Sequence, residues 1–125
     1  MKKIILLTLT GFIICTAYKP LTDYRDSYTG SYFCNRSCQR LNAPYTELTT
    51  YNDTLTIIIE KDQRDSMLQI TIGQNSYRMK LNNGRINASE PSTRYYGNFF
   101  ASDSISFIVK PGLAPNSCSY RGKKK

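Results

Sequence analysis

Gly30-Ser31-Tyr32-Phe33-Cys34 near the start of the chain reads, by residue type, as the reverse of Cys118-Ser119-Tyr120-Arg121-Gly122 near its end. Laid antiparallel with Cys34 opposite Cys118, the two segments bring Tyr32 opposite Tyr120 and Gly30 opposite Gly122. Residues opposite one another on antiparallel strands come close enough for cross-strand contacts and for a disulfide. The first and last strands are therefore expected to be neighbours, bridged by Cys34 and Cys118, with Cys38 as the alternative partner.

Between these ends the apolar side chains recur with a period of two. Tyr28, Gly30, Tyr32 and Cys34 share one face; so do Leu55, Ile57 and Ile59, then Leu68, Ile70 and Ile72, then Tyr77, Met79 and Leu81, then Ile105, Phe107 and Val109. Such alternation marks half-buried strands, and no window shows the longer period of a helix. Gly73-Gln74-Asn75 and Ala101-Ser102-Asp103 turn the chain, and Asn82-Asn83-Gly84 supplies the positive φ angles of a type I′ hairpin turn. Arg85 to Ala88 is a short strand, Tyr95 to Phe100 another, and Ser117 to Lys123 the last. Asn35 to Thr50 has no clear period and reads as a long loop, of the kind that carries function in compact domains.

The count comes to about eight strands. An even number in a simple meander leaves the first and last antiparallel, as the reversed segments require, and closure removes unpaired edges. The expected fold is all-β, a small antiparallel up-and-down meander closing into a barrel. A two-sheet β-sandwich is the alternative.

The N-terminus reads differently. Lys2-Lys3 precedes a nearly unbroken apolar run from Ile4 to Ile14, too short for a membrane anchor and the size of a signal-peptide core. Residues 1–17 are expected to be an export signal, cut after the small residues Cys15 and Ala17. The alternative is removal of residues 1–14 and lipidation of Cys15, although Ile14 is bulkier than a lipoprotein signal usually has there. Residues 18–27 read as a tether and 28–125 as one domain. The destination is outside the cytoplasm: periplasmic, outer-membrane-anchored or secreted. An odd set of Cys34, Cys38 and Cys118 then remains in an oxidising compartment.

The 125 residues include 17 Lys and Arg, 9 Asp and Glu, and no His. Loss of residues 1–17 removes Lys2 and Lys3 and lowers the net charge from +8 to +6. A basic exported protein is drawn to anionic surfaces, and export argues against nucleic acid as the partner. Without histidine, Ser-His and Cys-His nucleophile pairs are excluded and the commonest general base is missing. Scattered cysteines without histidine make no recognisable zinc site. The chain is read as non-enzymatic, with no cofactor and no metal.

Tyrosine is in excess, at 10 residues. Several are strand residues with buried rings. Others lie near arginines, and Arg36, Arg40, Tyr45, Tyr51, Arg94, Tyr95 and Tyr96 are the candidates for an aromatic and basic patch that binds a partner. The expected function is a binding or structural module for a macromolecule or an anionic envelope component. The alternative is a barrel holding a small apolar ligand, such as a lipid, between Leu55, Ile57, Ile70, Met79 and Phe107.

The alternating Tyr28, Gly30, Tyr32 and Cys34, the run Asn98-Phe99-Phe100 with Asp103-Ser104-Ile105-Ser106-Phe107, Gly112-Leu113, and Cys118 followed by Tyr120-Arg121-Gly122-Lys123-Lys124 are distributed along the chain. Together they resemble the small lipocalin-like β-meander lipoproteins and secreted proteins of Bacteroidota-type bacteria. The resemblance implies an envelope location and brings no activity with it. It also implies candidate O-glycosylation at Thr54, Ser66 and Ser104, because Asp53-Thr54-Leu55, Asp65-Ser66-Met67 and Asp103-Ser104-Ile105 fit the Asp-Ser/Thr-aliphatic pattern used by such bacteria.

Overall fold

Alternation decides which side of each strand is buried, and the strands assemble accordingly. A computed structural model describes residues 21–42, 44, 46–88, 93–111 and 116–125; the segment expected to direct export, with Cys15, and Tyr45 lie outside them. The strands are β1 (Gly30–Asn42), β2 (Glu47–Lys61), β3 (Met67–Ile72), β4 (Asn75–Asn82), β5 (Arg85–Ala88), β6 (Thr93–Phe100), β7 (Ser104–Pro111) and β8 (Ser117–Lys124). Each pairs antiparallel with the next, and β1 pairs with β8, so the meander closes into an eight-stranded barrel. The sandwich alternative is thereby set aside. Asn83 and Gly84 take φ of 47° and 75°, as the hairpin signal between β4 and β5 requires.

The inward positions fill the barrel. Tyr32, Ile57, Ile59, Leu68, Ile70, Met79, Leu81, Ile86, Ile105 and Phe107 are all buried and belong to one cluster. Burying each large apolar side chain contributes about 1.5–3 kcal/mol relative to exposure. Two inward glycines make the packing fit. A Cβ at Gly97 would fall on Phe107 and the Ser106 carbonyl, and one at Gly122 would fall on Cys34 Sγ and the Phe33 carbonyl.

The β1–β8 seam differs from its expected register. Cys34 lies opposite Gly122, Tyr32 opposite Lys124, and Cys38 opposite Cys118, a slip of four residues from the palindromic alignment. The disulfide joins Cys38 to Cys118, not Cys34 to Cys118. Cys34 stays free and buried, and that burial pushes its thiol up to about 11. The physical reason is volume. The palindromic register would place the rings of Tyr32 and Tyr120 in one layer, whereas the observed one seats the Cys34 sulfur over a glycine and puts Tyr120 opposite Arg36.

Two further expectations are corrected. The aperiodic segment 35–50 is not a loop: β1 and β2 stay paired from Gly30↔Ile59 to Asn42↔Glu47 and form one long hairpin arm. Residues Glu47 to Thr54 are exposed on both faces, so no burial imposed an apolar period on them. The tether reading of 18–27 fails at its C-terminal end. Asp23 caps a 3-10 turn, Tyr24–Ser27, and the buried Arg25 guanidinium donates to the carbonyls of Asp62, Arg64 and Met67 at 3.0, 2.8 and 3.1 Å. This plugs the barrel end nearest the β2–β3 turn. Asp23 pairs with the same guanidinium and its carboxyl is held down at about 2.

Two outcomes follow for stability. The disulfide spans 80 residues, and closing a loop of that length is worth about 4–5 kcal/mol in the chain-entropy view. Cys38→Ser and Cys118→Ser should therefore lower the melting temperature alike, and non-reducing peptide maps should leave Cys34 alkylated only after unfolding. Gly97→Ala and Gly122→Ala should each cost about 1–3 kcal/mol by overpacking. Chemical denaturation that shows wild-type stability for either glycine variant would contradict the packing described.

Candidate functional site

The seven expected partner-binding residues do not form one patch. Arg36 points to the inner face of the hairpin arm, where it forms an ion pair with Asp53 and its guanidinium lies 5.8 Å from the centre of the Tyr51 ring. Arg40 is exposed farther along the same arm. Arg94 and Tyr96 are exposed on the outer face of β6, with the Lys110 ammonium 6.0 Å from the Tyr96 ring centre. Tyr95 is buried and leaves the patch altogether. Its ring packs 4.9 Å from Tyr77, bridging β4 and β6 at the barrel end away from the plug. Tyr45 lies outside the described residues.

Electrostatics at the arm are local. The bidentate hydrogen bond from Arg36 holds the Asp53 carboxyl below its ordinary value and raises the guanidinium still higher. Tyr120 sits beside the pair, and burial pushes its hydroxyl up while Arg36 pulls it partly back.

A large recess lies on the outer wall. A groove of about 640 Å³ runs over β8, walled by Phe33, Phe100 and Ser104 and edged by Asn35, Arg121 and Lys123. Phe33 and Phe100 are 49% and 57% exposed, far from the burial expected of rings with no partner to meet. The Lys125 ammonium stands 5.7 Å from the Phe33 ring centre. A second recess of about 480 Å³ shares Asn35 and Arg121 and continues across Ser119, Asn52 and Thr54. The two together run from the end of β6 to the base of the hairpin arm.

Charge around this wall has one sign. Seven of the eight strands carry no Asp or Glu; only β2 does, at Glu47, Asp53 and Glu60. The other described carboxylates sit in the N-terminal turn and the β2–β3 and β6–β7 turns, and Asp53 is already paired with Arg36. Arg94, Lys110, Arg121, Lys123 and Lys125 therefore face solvent on β6, β7 and the β8 end without a carboxylate on their own strands.

Arg121, Lys123 and Lys125 alternate in sequence, which is the one local sign of this stripe. A C-terminal lysine run reads more simply as a solvated tail, and Phe33 and Phe100 come from distant parts of the chain. Of the candidate modification residues, Thr54 is exposed in the second recess. Ser66 is half-buried in the β2–β3 turn with φ of 63°, and Ser104 is half-buried at the start of β7, its hydroxyl donating to Asp103 at 2.9 Å. Of the five residues named for an apolar ligand, Ile57, Ile70, Met79 and Phe107 belong to the buried core cluster, and the half-buried Leu55 packs against it.

The chain matches no protein-family model and no curated protein.

The Arg36–Asp53 pair yields a pH-dependent outcome. A carboxyl held below its ordinary value adds stability above that value and loses it as pH falls through the lowered one. Asp53→Asn should lower the melting temperature at neutral pH, with the difference from wild type closing below the ordinary value of 3.8. A difference independent of pH, measured by thermal melts across the acid range, would argue against the pair.

Proposed function

We propose that this protein is a non-enzymatic, exported envelope module that binds an anionic macromolecule along the outer wall of β7, β8 and β1. One observation carries the reading: the continuous outer groove combines exposed aromatic rings with Arg121, Lys123 and Lys125 on carboxylate-free strands. Aromatic and arginine side chains are the usual anchors of interfaces, and one-signed charge speeds encounter with an oppositely charged partner. The filled interior supports an external ligand over an apolar one held inside the barrel. The eight-stranded barrel is compatible with the lipocalin-like resemblance, and the apolar N-terminal run supports export by signal peptide, with or without a lipid on Cys15.

Charge reversal tests the reading. Envelope fractions of the host should capture the wild-type protein at low salt and release it as salt screens the contact. The Arg121→Glu/Lys123→Glu variant should lose that capture, and Phe33→Ser should weaken it. Lys80→Glu/Arg85→Glu, on the outer faces of β4 and β5, should bind as wild type. Undiminished capture of the Arg121→Glu/Lys123→Glu variant would rule the groove out.

A further inference from the structure

The hairpin arm carries an unpaired edge. β2 pairs with β1 from Glu47 to Ile59, but with β3 only from Ile57 to Lys61. Among the described residues no strand meets the other side of Glu47 to Thr56, ten residues of extended backbone. Exposed edges are ordinarily blunted by proline, inward or edge lysine, or a bulge, because unpaired N–H and C=O groups template another strand. This stretch has neither proline nor lysine, and its register with β1 is unbroken. It carries Thr49, Thr50, Thr54 and Thr56, whose branched side chains favour strand pairing. Leu48 and Tyr51 stand 53% and 48% exposed on it, large apolar surface on an arm with nothing beyond it.

We propose that this edge of β2 is the docking surface for a second copy of the same chain, the two edges pairing antiparallel about a two-fold axis at Tyr51. The edge is complementary to itself in that register. Tyr51 meets Tyr51 of the second copy, an aromatic cross-strand pair. On the same face Thr49 lies opposite Asp53, whose charge Arg36 already neutralises. On the other face Thr50 lies opposite Asn52 and Leu48 opposite Thr54, so no two like charges oppose. Pairing from Leu48 to Thr54 leaves Leu55 and Thr56 free, which gives clearance for the β3–β4 turn at Gly73 and Gln74. The interface satisfies main-chain groups on both copies and half covers Leu48 and Tyr51. It is isologous and closes on itself, so it makes a dimer and not a fibre.

The proposal is independent of the outer groove, which lies on other strands except where it reaches Asn52 and Thr54. Light scattering and sedimentation of the protein purified from its secreting host should give a dimer at concentrations of tens of micromolar. Thr50→Lys/Asn52→Lys places lysine opposite lysine at exposed positions, and should raise the dissociation constant at least about tenfold, equal to about 1.4 kcal/mol, with the melting curve of the diluted monomer unchanged. Tyr51→Cys should form an intermolecular disulfide under mild oxidation, because residues facing across a two-fold lie within bridging distance; Asn98→Cys, on the outer face of β6, should not. A monomer at every concentration would overturn the proposal. So would a dimer that persists in Thr50→Lys/Asn52→Lys while Tyr51→Cys fails to cross-link, and so would a monomer that instead takes up an extended peptide of another protein on this edge.

Discussion

The seam between β1 and β8 is the constraint on which the rest of this structure depends. A meander has two edge strands, and only their mutual pairing turns an open sheet into a ring with a single enclosed core. Here the seam is held by backbone pairing from Tyr32↔Lys124 to Gln39↔Ser117 and covalently by Cys38–Cys118. Its register is determined where the space is tightest, at Gly122, which has no side chain to compete with the Cys34 sulfur. Gly97 plays the same part for Phe107 two strands away. Small inward residues at these two points let large ones occupy the layers around them.

A ring filled by its own side chains has consequences for function. The surfaces it leaves for contact are its outside, its ends and its arm. One end is stoppered by Arg25, whose guanidinium satisfies three carbonyls of the β2–β3 turn region and is itself balanced by Asp23. Carboxylates gather around that end and along β2, leaving the other strands basic or neutral. The outer wall and the arm thus differ in character. The wall offers charge and aromatic rings, while the arm offers main-chain hydrogen-bonding groups and β-branched side chains.

How much of this was legible in the sequence depended on whether a residue had one buried face. Ile57 and Ile59, Leu68 and Ile70, Met79 and Leu81 declare their strands because water is excluded from one side only. The Asn83-Gly84 turn is equally plain, since few other pairs accept two successive positive φ angles. The upper half of the arm is silent because both of its faces are wet, and Arg25 is silent because its partners distant in sequence are backbone carbonyls, which leave no trace in residue type. The candidate groove was half visible: Arg121, Lys123 and Lys125 alternate, but the rings of Phe33 and Phe100 join them only when strands far apart in sequence lie side by side. Tyr95 and Tyr96 look alike in sequence and read as members of one patch, yet adjacent strand residues must face opposite ways.

The sequence by itself determined which face of each alternating strand is buried and the order of the strands as a meander, because a period of two and the turn residues are local properties; it left barrel and sandwich both open. Only the tertiary structure decided the stagger at which the ring closes. Cys34 and Cys38 share a face, so parity cannot tell a bond from Cys118 to one from a bond to the other. The choice fell to side-chain volume in the closed core, where a glycine stands under one cysteine and leaves the other to make the bridge.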